Sequence, residues 1–337
     1  MSEPVAARMS PTGALQVILA PLRGFTDAVY RTVHARHFAG VDLAVAPFVV
    51  AAGRRATLKA LADLRPEVNP LMPVIPQVLG NDGDGFLDLA ERLAGLGYRS
   101  VNWNLGCPFP MVARKGRGSG LLPYPGRIAA FLDQVSPRLP VALSIKTRLG
   151  YENSEELSAL VPILNRHHLE ALVIHPRTGI QLYDGGVDLE RFAACREVCH
   201  HPVVYNGDIA TSADFRRVSE RFPMVTQWMV GRGVLIDPLL PARIKQMPLP
   251  DDPAGALRSF YEDLTEAYAR RLSGPGHLLD RMKGFWRYAS LGFEDAETVW
   301  LRVRRAKDMT GYRRLAAAIF ADCPLRRPET GLTSQAL

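Results

Sequence analysis

The sequence predicts an α/β chain: a (β/α)8 TIM barrel over residues 14–246, followed by a small C-terminal helical bundle over 254–323. Three observations carry that prediction. From Gln16 to about Ile244, eight short runs rich in Val, Ile or Leu alternate with longer amphipathic stretches, the pattern of βα units feeding a parallel sheet. Eight units in about 230 residues match a closed barrel better than a doubly wound sheet, which is complete with five or six strands. After the proline-rich run 248–253 the strand-like runs cease and only helical periodicity continues.

In chain order, strands are expected at Val17–Ala20, Leu43–Ala46, Val74–Leu79, Ser100–Asn104, Ala142–Thr147, Ala171–His175, Val203–Asn206 and Gln227–Val230. Helices between them include Phe86–Leu96, Ser154–His167, Leu189–Cys199 and Ala213–Arg221, several opening on a Ser, Thr or Asp suited to capping. The C-terminal helices are expected at Gly255–Leu272, His277–Ala289, Ala296–Arg305 and Tyr312–Phe320. The polar tails 1–13 and 324–337 are expected to fray.

With 337 residues, 47% of them apolar, the chain can bury a full core, which argues against disorder. No uncharged apolar run reaches about 18 residues and the first fifteen residues lack an apolar signal core, so no membrane span or secretory signal is expected. A cytoplasmic monomer without a stable protein partner is the expectation. Four cysteines are too few and too unevenly placed to staple a chain of this size, so reduced thiols are expected. Cys195 and Cys199 stand at helical spacing before His200 and His201, but no second ligand pair is evident and no metal is expected. The net charge of +7, of which +4 falls from Leu240 onward (16 Lys and Arg against 12 Asp and Glu), is a mild signal for a polyanionic partner, and on its own it suits an ordinary basic enzyme at least as well.

In such barrels the chemistry sits at the C-terminal ends of the strands. Here those ends carry Ala20-Pro21, Gln77, Asn104, Lys146, His175, Asn206-Gly207-Asp208 and Gly231-Arg232-Gly233, where a purely structural barrel would place small or turn residues. The last two turns follow strands seven and eight, the usual phosphate site, where glycines let backbone N–H groups approach an anion and Arg232 can pair with it. A phosphorylated cofactor such as FMN fits. Gln77 and Lys146 would then face its flat ring: a lysine near the N1/O2 edge stabilises charge that builds on reduction, and an amide serves the donor and acceptor edge. His175 could add a second donor.

The sharpest motif is Asn104-Leu105-Gly106-Cys107-Pro108, leading into a basic, Gly-rich loop from Arg114 to Leu122. With Ala20-Pro21-Leu22-Arg23-Gly24-Phe25-Thr26-Asp27, Ser144 to Gly150, His175-Pro176-Arg177-Thr178 and the two glycine turns, it makes six ordered motifs over about 215 residues. In this order and spacing the chain resembles the bacterial, FMN-dependent tRNA-dihydrouridine synthases. The resemblance implies reduction of the C5=C6 bond of a uridine in tRNA: NADPH reduces FMN, a hydride passes from flavin N5 to C6, and Cys107 gives a proton to C5. It further implies that Ala20, Pro21, Leu22, Gln77, Asn104, Lys146, His175, Asn206, Gly207, Asp208, Gly231 and Arg232 hold the cofactor. Asn104, Lys115, Arg117, Arg148, Arg177, Arg281, Lys283 and Arg287 would hold the RNA, whose target base must leave its stack to be reached.

The chain departs from the family pattern at Pro176, where a glycine is usual, at Leu22-Arg23, and at Ala46-Pro47 where an acidic residue often ends strand two. Proline has no N–H, so any bond from that amide is missing. Two rival readings stay open: a flavin enzyme reducing a free pyrimidine, which needs no basic helical region, and a tRNA-binding relative that has lost catalysis.

Overall fold

The computed structural model describes residues 7–9, 13–51 and 61–327. Ten strand segments form one parallel sheet: β1 (Gln16–Leu19), β2 (Leu43–Val45), β3 (Val49–Val50), β4 (Val74–Ile75), β5 (Gln77–Leu79), β6 (Ser100–Leu105), β7 (Ala142–Gly150), β8 (Ala171–Thr178), β9 (Val203–Asn206) and β10 (Gln227–Val230). The order β3-β5-β6-β7-β8-β9-β10-β1-β2-β4 reads as an open sheet until Pro76 is considered. Pro76 lacks an N–H and divides the expected third strand into β4 and β5. On one side of it the Ile75 carbonyl accepts from Ala46 N (3.0 Å); on the other the Pro76 carbonyl accepts from Asn102 N (2.8 Å). One interrupted strand therefore joins both ends of the sheet, and the barrel closes with eight staves.

β3 was not expected, because two residues after Pro47 carry no readable periodicity; it pairs with β5. β7 and β8 run to Gly150 and Thr178, beyond their expected ends, with an irregular register between Arg148 and Gly150. Those extensions raise Arg148, His175 and Arg177 to the mouth of the barrel.

Alternation along the strands sorts side chains into two sets. Ile18, Leu43, Val45, Ile75, Val173, Val204 and Met229 fill the barrel interior, whereas Val17, Leu19, Leu172, Ile174 and Trp228 pack outward against the helices. Residues 7–9 correct the expectation of a fully frayed N-terminal tail. Met9 is completely buried among the interior side chains, because an apolar plug at the barrel's base covers surface that the strands leave open. The C-terminal tail is likewise held at its start, where Arg326 N donates to Gly292 O (2.8 Å). The remaining tail residues, 1–6, 10–12 and 328–337, lie outside the described residues.

Helices Pro253–Ala269, Pro275–Ala289, Ala296–Arg304 and Met309–Asp322 follow the barrel. The first two begin two residues earlier than expected: Pro253 and Pro275 occupy the first helical position, where a missing N–H costs nothing. These helices share one hydrophobic cluster with the barrel. Phe260 packs edge-on to Tyr30 of helix Ala28–His37, and Phe285 stacks on the same ring at 5.6 Å. Burial pushes His34, in the same seam, down to about 4, so it is a neutral part of the core with Nε2 3.0 Å from Pro238 O. Among the described residues no helix is long and apolar enough to cross a membrane, and all four cysteines are free.

Candidate active site

β6 ends in a carboxamide that organises the loop after it. Asn104 Oδ1 accepts from Gly106 N (3.1 Å) and Cys107 N (2.8 Å), and its Nδ2 donates to Gln77 Oε1 (2.8 Å). Gln77 Nε2 donates to Asn102 Oδ1 (2.8 Å), and Asn102 Nδ2 to Ser144 Oγ (2.9 Å). All the donors point one way, so each amide's orientation is fixed by its neighbour. Ser119 N and Oγ both donate to the Cys107 carbonyl at 3.1 Å. Gly118 sits at φ +56, and a Cβ there would lie 2.6 Å from that carbonyl, which is why the loop must be glycine-rich at this point.

Cys107 and the strand ends enclose a cavity of about 250 Å³ at the barrel mouth. Its floor and walls are cationic. The Lys146 amine, from β7, makes no hydrogen bond or ion pair among the described residues, and burial, then the neighbouring Arg148, lowers its pKa to about 7. Burial lowers Arg148 to about 10, which leaves it charged; its Nη1 donates to Thr178 O (2.7 Å) and its guanidinium lies 5.5 Å from the Tyr183 ring centre. Burial, then Arg148 and Lys146, pushes His175 well below the ordinary imidazole range, so it is neutral. Arg177 Nη1 approaches His175 Nε2 at 3.2 Å; arginine can only donate, so Nε2 accepts and Nδ1 carries the proton.

Burial pushes the Cys107 thiol up, outweighing the pull of Arg148, Arg23 and Lys146, so the thiol is protonated at neutral pH. If it is the acid of a reaction here, turnover holds through neutral pH and falls as pH rises past the ordinary thiol range, where the proton is lost. A pH–rate profile on the wild-type protein checks this; a rate that rose with pH over that interval would assign the thiolate instead.

The opposite wall holds the two glycine turns. Asn206 Nδ2 donates to Met229 O (2.8 Å), and Gly233 lies so close to the Ile209 carbonyl that no side chain fits. Asp208, in left-handed conformation (φ +46), accepts from Arg177 through both oxygens (2.8 and 2.6 Å) and pairs with Arg232 (3.3 Å). Two guanidinium groups against one carboxylate leave the turn net positive. Tyr183 covers Arg232, its ring centre 4.3 Å from the guanidinium carbon.

The structure thus brings together Ala20, Pro21, Leu22, Asn104, Cys107, Lys146, Arg148, His175, Asn206, Gly207, Asp208, Gly231 and Arg232 on one cavity. Gln77 is not on its wall; it stands behind Asn104 with both ends of its amide engaged. Arg177 is also displaced from its expected place at the RNA: it is 1% exposed, spent on Asp208, His175 and the Gly185 carbonyl. Lys283 Nζ donates to Ala306 O (2.6 Å) and ties its helix to the loop after helix Ala296–Arg304, while Arg281 donates to the Gly24 carbonyl and lies over the Tyr268 ring. Lys115 and Arg287 are exposed, and Arg117 Nε donates to Asn81 Oδ1 (3.1 Å). Tyr183 and Tyr288, both on the cavity, had no signal in the sequence: one comes from an irregular loop, the other from the helical region.

Residues 18–273 match the family described as dihydrouridine synthase. The chain is 28% identical to a tRNA-dihydrouridine(16) synthase of Aquipseudomonas alcaligenes over 87% of its own length and 96% of the relative's. A tRNA-dihydrouridine(16) synthase of Neisseria meningitidis serogroup A is 27% identical over 91% of this chain and 96% of its own. A probable tRNA-dihydrouridine synthase of Rhodobacter capsulatus is 31% identical over 64% and 67%. The family match runs from β1 through the first helix after the barrel and takes in the Cys107 loop, the cationic wall and both glycine turns, so the chain belongs to the dihydrouridine synthase family.

Proposed function

We propose that the chain reduces uridine 16 of tRNA, with Cys107 as the acid that protonates C5. Reduction of a tRNA uridine with FMN and NADPH is the chemistry of the family to which the chain belongs. The observation that carries the residue assignment is a buried, protonated thiol on the wall of a cationic cavity, its backbone fixed by Asn104 and Ser119. A proton is delivered to carbon efficiently only by a donor held against the base with water excluded.

The residues fit a phosphorylated flavin. Lys146 turns into the cavity an amine that, among the described residues, makes no hydrogen bond or ion pair, and the turn at Gly207, Gly231 and Arg232, with its two guanidinium groups near one carboxylate, suits a phosphate. When bound, FMN supplies the hydride for C6 of the base. An anionic ring edge beside Lys146 would hold the amine in its charged form and raise its pKa above the value near 7. Neutral His175 presents Nδ1–H as a donor, and the positioned Asn104 amide has one N–H left beyond the bond to Gln77. Arg148 stays cationic beside the entry, where the extruded nucleotide brings its phosphate.

Position 16 rests on the span of similarity. The two relatives named for that position match 87% and 91% of this chain, while a relative named synthase B, that of Pseudomonas aeruginosa, matches 65%. Mapping dihydrouridine in tRNA from cells with and without the protein tests the reading: loss at position 16 alone supports it, and an unchanged position 16 contradicts it.

A further inference from the structure

Beyond Cys107 the loop continues as Pro108-Phe109-Pro110-Met111, and its two large apolar side chains face water: Phe109 is 55% exposed and Met111 83%. Single exposed apolar residues are ordinary, but here two stand within three residues of each other, and Phe109 lines the rim of the cavity. The patch is rigid. Pro108 and Pro110 fix the chain on both sides of Phe109. The helix Pro110–Ala113 closes back on the Phe109 carbonyl through Val112 N (2.8 Å) and Ala113 N (3.0 Å). Gly120 presses against Ala113 so closely that a Cβ there would collide with its carbonyl.

Charge identifies the partner. Exposed Arg114 and Lys115 follow at once, and no carboxylate occurs between Cys107 and Asp133. The loop with Tyr183 also exposes Ile180 and Leu182, but it carries Asp184 and no lysine or arginine between 178 and 190, so its charge does not suit a polyanion. A rigid apolar tip followed directly by exposed Arg and Lys, with no acid in its own segment, suits a polyanion that also has flat apolar faces, which is a nucleic acid.

We propose that Phe109 and Met111 form a wedge that enters the base stack of tRNA where the target uridine has left it, while Arg114 and Lys115 hold the phosphates alongside. The proposal rests on the reading of the cavity as a uridine site. A base drawn into the cavity abandons its stacking on both neighbours, and an apolar group filling that gap offsets the loss. The wedge stands two and four residues from the acid, so the emptied stack and the reacting base lie against the same loop.

The test compares wild type with Phe109→Ala/Met111→Ala on two RNAs: a tRNA, and the same tRNA with abasic residues on both sides of the target uridine. Removing the flanking bases removes the stacking that a wedge must replace. The variant is expected to lose roughly tenfold or more in kcat on the intact tRNA, with Kd within about threefold, and to come within about threefold of wild type on the abasic-flanked RNA. Met111→Ala alone, at a site too exposed to affect folding, gives a smaller loss with the same rescue. No loss on intact tRNA, a loss carried entirely by Kd, or a loss that persists between abasic flanks overturns the wedge. A wild-type protein that reduces neither RNA defeats the uridine-site reading itself and takes the wedge with it.

Discussion

Replacing Cys107 with Ala is expected to lower single-turnover reduction of tRNA uridine by about 10²- to 10⁴-fold, with FMN content and tRNA affinity within about threefold of wild type. The asymmetry follows from how the loop is held. Asn104 and Ser119 grip backbone atoms of residue 107, which alanine retains, so the variant removes one sulfur and its proton and little else. Ser at 107 keeps the size and a hydroxyl, but that proton is far less acidic, so Cys107→Ser should recover little. Quench-flow measurement on tRNA decides it: a Cys107→Ala rate within threefold of wild type would remove the thiol from the reaction.

The largest expected effect on stability lies across the cavity. Asp208→Asn should destabilise the fold by about 3 kcal/mol, because Arg177 is left buried at 1% exposure without its counter-charge. Asp208 is itself 15% exposed, so water moderates the loss. Adding Arg177→Met to Asp208→Asn should restore much of it, since the remaining neutral groups tolerate burial. Urea unfolding of the wild type and the two variants checks the order; a single-variant loss under about 1 kcal/mol would mean that the Gly185 carbonyl and His175 suffice to hold Arg177.

The barrel was legible because parallel strands covered on both faces read as short unbroken apolar runs, and all eight expected runs fall on strands. What the pattern could not convey was the use of Pro76, which breaks a strand yet lets its two halves close the barrel. The Cys107 loop was legible for a different reason: Asn104, Gly106 and Cys107 are joined by bonds spanning two or three residues, so their arrangement is compressed into a local motif. Tyr183 and Tyr288 escaped because their places depend on chain segments far apart in sequence that meet over one cavity. Arg177 and Lys283 show the limit of reading charge alone. A sequence records that a side chain is cationic, but burial against Asp208, or a bond to the Ala306 carbonyl, decides whether that charge ever meets RNA.

The central claim is that an acid fixed on one side of the base, Cys107, protonates C5. Reduction of tRNA in D2O, followed by NMR of the dihydrouracil product, tests it most directly. A donor held in place delivers deuterium to a single face, so one configuration at C5 is predicted; a mixture of both configurations would show protonation by unconstrained water and contradict the account.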